Sequence, residues 1–185
     1  AGLVAWGLLS ASVIAGLLLS GRVTGKRLRP NWLTDLHRGL SGLATAFVGL
    51  HVVTVVADSY VHFGAADVLV PLASGWRPVA VAWGIVAMYL LVAVEASSLL
   101  RRRLTKQQWR TIHVLSFPLW LTATAHGVTA GRELGTVGGT IAAVAVAAVV
   151  AGLTAYRVLD ARERASAAAT GAPTAPRVPV ATAAR

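Results

Sequence analysis

Five long apolar runs, divided by short polar or Gly/Pro-bearing segments, set the pattern of this chain. The first, 1–20, carries no charge and at about 1.5 Å per residue can cross a hydrocarbon core about 30 Å thick. A secretory leader would open on basic residues and have a shorter apolar centre, so this run is read as a true spanning helix. The chain opens on Ala rather than Met, and an upstream piece is expected to have been removed or left out. The remaining runs predict spanning helices over 36–57, 79–100, 111–130 and 136–156, the third interrupted by Glu95.

The separators fit that division. Residues 21–31 are basic and broken by Gly and Pro, which predicts a loop, and Thr34 and Asp35 are suitable caps for the second helix. The longest connection, 58–78, mixes Tyr60, Phe63 and Trp76 with short apolar groups and is expected to lie along the interface. The run 101–110 is a further basic loop, and the fifth span is rich in Ala, Val and Gly, which suits close helix packing. From Leu159 the chain turns charged and then Ala/Pro/Thr-rich, so 1–158 is read as the membrane domain. Residues 159–185 are read as a tail, disordered beyond about Ala165.

Composition agrees. With 56% hydrophobic and 13% charged residues and a mean hydropathy of +0.66, the chain is an all-α integral membrane bundle of about five helices. The absence of cysteine excludes disulfides, thiolate metal sites, iron–sulfur clusters and covalent c-type haem attachment. A net charge of +10 raises nucleic acid as a partner, but the basic residues sit in short loops between apolar runs, where membrane orientation accounts for them. Fifteen Lys and Arg fall in the loops after spans one and three, at the start of span two and in the tail; only Arg77 and Arg132 lie on the other side. That asymmetry predicts a plasma-membrane protein with its N-terminus outside and its C-terminus in the cytoplasm.

Orientation gives four histidines their meaning. His37 and His51 stand fourteen residues apart, about 21 Å along one face of the second span. His113 and His126 stand thirteen apart in the fourth, which runs the same way across the membrane. His37 and His113 therefore lie near the cytoplasmic edge, and His51 and His126 nearer the outer face. Polar side chains in a bilayer need partners, and two bis-imidazole haems would supply them. Zinc is a weaker alternative, since each level offers two nitrogens. Thirteen residues leave His126 about 140° off the face of His113 in an ideal helix, and Pro118 between them can kink it.

These residues, His37 and His51 on one helix, then Trp109-Arg110 three residues before His113, then His126, resemble the ferric reductase-like transmembrane domain family over 33–129. That family includes ferric reductases, NADPH oxidases and the haem subunit of a periplasmic methionine sulfoxide reductase. The resemblance implies an inner b-type haem on His37 and His113 and an outer one on His51 and His126. Against the family pattern, a helix before the first span is expected to be missing. The stretch after Tyr156 shows no phosphate loop or strand pattern, so the chain is expected to take no hydride itself.

Function is therefore read as transmembrane electron transfer, the chain being the haem component of an oxidoreductase. The donor would be a cytoplasmic flavoprotein carrying its own FMN or FAD, or a membrane quinol; a redox partner would accept at the outer face. Two closed bis-His sites favour electron transfer over oxygen binding. A haem-bearing anchor or sensor without turnover is the alternative, and a proton-relaying transporter a third.

Arg38, Arg77 and Arg132 are candidates for haem propionates, against headgroup binding or plain solvation. Glu95 can assist an inner ligand or snorkel to the surface. Phe47, Phe117 and Trp120 can pack between haems or form core. His62 is read as a surface residue.

Overall fold

Because a bilayer offers no hydrogen-bonding partners, the apolar runs satisfy their backbones as helices, and helices alone build this protein among the described residues. The computed structural model describes residues 1–21, 30–58 and 63–169. In order come α1 (Gly2–Gly21), α2 (Pro30–Val56), the short α3 (Ala65–Leu69), α4 (Pro78–Leu99), a 3-10 turn (Arg101–Arg103), α5 (Lys106–His113), α6 (Ser116–Ala130) and α7 (Val137–Ala169). Four of these, α1, α2, α4 and α7, are long and apolar enough to cross a membrane.

The expected fourth span over 111–130 is not one helix. α5 stops at His113, two turn residues follow, and α6 starts at Ser116. Pro118 is the cause: it has no N–H to give the carbonyl four residues back, on Val114, and its ring crowds that carbonyl. Phe117 N–H takes the Val114 carbonyl instead, at 3.1 Å. The basic run 101–110, expected as a loop, holds the 3-10 turn and the first five residues of α5. Thr105 caps α5 by accepting from Gln108 N–H at 3.2 Å, while Gln108 Oε1 accepts from Thr105 N–H at 3.0 Å.

Two helices outrun their expected bounds. α2 begins at Pro30, whose fixed φ suits a first helical position, and so takes in Thr34 and Asp35. α7 continues through Ala169, aided by helix-forming Ala, Glu and Arg and by Arg164 pairing with Asp160 at 2.7 Å one turn away.

α1 is the packing centre. It lies against α2, α6 and α7, while α6 also packs along α4. Leu9, Val13 and Leu17 of α1 share a buried cluster with Ala44, Leu119 and Trp120. Two indoles tie α1 to α6: Trp120 Nε1 donates to Ser10 Oγ at 2.9 Å, and Trp6 Nε1 to Thr124 Oγ1 at 3.0 Å. Large apolar side chains such as Leu43, Val53, Val92 and Ile141 face outward, as lipid contact requires. In the 58–78 connection, the Phe63 and Trp76 rings meet edge to face at 6.3 Å and Tyr89 O–H donates to the Leu69 carbonyl. Tyr60 and His62 lie outside the described residues.

Candidate functional site

The continuous α2 carries His37 and His51, while His113 ends α5 and His126 lies near the end of α6. The four rings meet in two pairs. His37 and His113 have ring centroids 6.0 Å apart with planes at 80°, and His51 and His126 stand 6.1 Å apart at 62°. The break after His113 removes the difficulty of thirteen-residue spacing, since each ring is aimed by a separate helix.

In each pair, one ring is tied to a backbone carbonyl of a neighbouring helix. His37 Nδ1 donates to the Ser12 carbonyl of α1 at 2.9 Å, and His126 Nδ1 to the Ala80 carbonyl of α4 at 2.8 Å. A carbonyl only accepts, so Nδ1 carries a proton in both, and Nε2 is the nitrogen left to meet a metal. Ser12 Oγ also sits 3.2 Å from His37 Nδ1 and 2.8 Å from Ser41 Oγ of α2. His113 is held differently: Trp109 stacks on it at 4.8 Å and 23°, and the Arg101 guanidinium lies 4.5 Å over the Trp109 ring. Trp109 Nε1 and His113 Nδ1 are buried with no hydrogen-bond partner among the described residues.

These donors suit haem iron. With each metal–nitrogen bond about 2.0 Å and the ring centre about another ångström behind, two imidazoles sharing one metal stand roughly 6 Å apart between centroids. Both pairs have that separation. Among the described residues no three His, Cys, Asp or Glu gather as a closed zinc site would need.

Comparison with known families decides the kinship. Residues 1–124 match the family described as ferric reductase like transmembrane component. The chain belongs to that family. The matched stretch takes in His37, His51 and His113 and stops two residues short of His126. Neither the curated proteins nor the solved structures yield a match.

In this ferric reductase-like chain the remaining candidates divide. Arg77 opens α4 with a left-handed φ of 43°, packs over Trp76 at 5.1 Å, and donates from Nη1 to the Thr129 carbonyl at 2.8 Å. That places it near the His51–His126 pair, three residues before Ala80 and bonded three residues after His126. Arg38 is exposed beside His37 on α2, and Arg132 is exposed in the turn after α6. Glu95 is half-buried on α4. Trp120 and Phe117 belong to the core cluster, and Phe47 is half-buried on α2. His62, Arg22, Lys26, Arg27 and Arg29 lie outside the described residues. Sequence reasoning missed Ser12, Ser41 and the stacking of Trp109. The available signal was polar Ser10 and Ser12 in the middle of an uncharged span, where each needs a partner.

Proposed function

We propose that this ferric reductase-like chain carries electrons across the membrane, with His37 and His113 holding an inner b-type haem and His51 and His126 an outer one. The observation that carries this reading is the meeting of both histidine pairs at metal-sharing separation, fourteen residues apart on α2. Held by these imidazoles, each haem would supply a one-electron redox centre.

The chain's own residues do the rest. The Ser12 and Ala80 carbonyls hold His37 and His126 in the Nδ1–H tautomer and fix the plane of each ring. The indole of Trp109 fixes His113 by stacking. Arg77 stands where it can meet a carboxylate at the outer level, and Arg38 at the inner. Exposed Arg101, Arg102, Arg103, Lys106 and Arg110 offer an acidic donor protein, or a flavin phosphate, a docking face on the cytoplasmic side. The donor is a cytoplasmic flavoprotein bearing FMN or FAD, or a membrane quinol, and the acceptor binds on the outer face. The charge asymmetry supports the orientation.

Vesicles test the reading. With the haem-loaded chain reconstituted and ferricyanide trapped inside, dithionite added outside should consume the ferricyanide. His37→Ala or His51→Ala should stop it. Full haem content with no transfer would leave a haem-bearing anchor or sensor instead.

A further inference from the structure

A carbonyl inside a helix is normally flanked by the side chain four residues on, because helical side chains lean toward the N-terminus. Both carbonyls that accept from a histidine here lack that flank. Four residues after Ser12 comes Gly16, and four after Ala80 comes Gly84. In both places a histidine ring lies in the gap and donates to the carbonyl beneath. A Cβ at Gly16 would stand 3.3 Å from His37 Cε1 and 3.6 Å from Nδ1; at Gly84 it would stand 2.8 Å from His126 Nδ1 and 2.9 Å from Cε1. The same contact recurs on α1, where a Cβ at Gly2 would stand 3.2 Å from His51 Cε1. Gly2 and Gly16 are fourteen residues apart, as are His51 and His37 on the antiparallel α2. Gly7, exposed on α1, has nothing within 4 Å of its would-be Cβ.

From this we infer that Gly16 and Gly84 are positioning residues: each, by lacking a side chain, bares the carbonyl four residues back and seats one histidine of a pair on it. The inference rests on the haem reading for its consequence, but the seat is a property of the helices themselves. The carbonyl's first lone pair serves the helix, since residue i+4 donates to it; the second is open to the imidazole because no Cβ stands in the way. A side chain at Gly84 collides with the ring and pushes it off its acceptor, while one at Gly16 makes the ring give by a few tenths of an ångström. The bond that fixes tautomer and plane is then broken or weakened. Crowding is greater at Gly84, so the outer level is the more sensitive.

The experiment compares the haem-loaded parent with Gly16→Ala, Gly84→Ala and Gly7→Ala. Each haem's midpoint potential and low-temperature EPR signal is read, with the two haems identified through His37→Ala and His126→Ala. Gly16→Ala should shift the signal lost in His37→Ala and spare the other. Gly84→Ala should shift more strongly, or empty, the one lost in His126→Ala. Gly7→Ala should match the parent. Equal effects on both haems, or glycine variants indistinguishable from Gly7→Ala, overturn the inference. Should Gly84→Ala fail to fold, Gly16→Ala decides alone. Haem content of the parent tests the functional reading separately. If the parent holds none, 15N spectra of labelled histidine in the full chain still report on the seat. His37 and His126 should read as hydrogen-bonded Nδ1–H tautomers in the parent, and that signature should weaken at His37 in Gly16→Ala; an unchanged spectrum overturns the seat.

Discussion

Pro118 stands four residues after Val114, and the helix that carries His113 ends where that carbonyl must take Phe117 N–H instead of a donor at 118. The break lets His113 and His126 face α2 together, although an unbroken helix would hold them about 140° apart. Replacing Pro118 by Ala restores the missing N–H and is expected to join α5 to α6. Haem content should then fall from about two per chain to about one, as one histidine rotates out of reach of its partner. A Pro118→Ala chain with unchanged haem would remove the break from the account.

Trp109 lies between Arg101 and His113, with one face on each. Stacking of this kind contributes about 0.5–1.5 kcal/mol, and an exposed cation over an indole about 0.5–1 kcal/mol. Trp109→Ala should therefore lower stability by about 1–2 kcal/mol and change the spectrum of the inner level alone. Trp109→Phe, which keeps a ring, should lose less than half of that in denaturation followed by tryptophan-independent circular dichroism.

The buried bond from Trp120 to Ser10 joins α1 to α6 away from the histidines. Interhelical hydrogen bonds in membranes contribute about 0.6 kcal/mol on average and up to about 1.7. Ser10→Ala should cost about 1 kcal/mol in detergent denaturation while leaving haem content intact. Loss of haem in that variant would show that α1 shapes the sites through more than Ser12 and the glycine contacts.

Orientation is open to direct labelling, because the chain has no cysteine of its own. A cysteine placed at Lys106 should react with a membrane-impermeant maleimide only in inverted vesicles, and one at Arg132 only in intact cells. The reverse pattern would exchange the inner and outer levels.

The basic face beside α5 makes a prediction about rate. Docking by charge accelerates encounter chiefly at low salt. If an acidic flavoprotein is the donor, changing Arg101, Arg102 and Arg103 together to Gln should slow reduction several-fold at low salt and little at high salt. Equal rates in the variant and the parent would leave these residues with topology alone.

The membrane class, the helical fold and the place of His37 and His51 on one helix were legible because apolar runs of spanning length and a fourteen-residue spacing speak directly through helix geometry; His113 and His126, expected on one span, lie on α5 and α6. The position of the helix break was half legible. Pro118 marked it, but its effect falls one turn upstream, where the Val114 carbonyl accepts from Phe117 N–H in place of a donor at 118. The roles of Ser12, Gly16 and Gly84 were not legible, because they depend on how α1 and α4 are registered against α2 and α6. That register is set by side-chain packing between helices, which no single run reveals. The extension of α7 past Leu159 was hidden by its charge: the polar residues that end a spanning segment do not end a helix when Ala, Glu and Arg continue it.

Haem content per chain, measured by pyridine haemochrome on the purified protein and on His51→Ala, tests the central claim most directly. The parent should hold about two b-type haems and the variant about one, because His51 serves the outer pair alone. No haem in the parent, or unchanged content in the variant, would contradict the account.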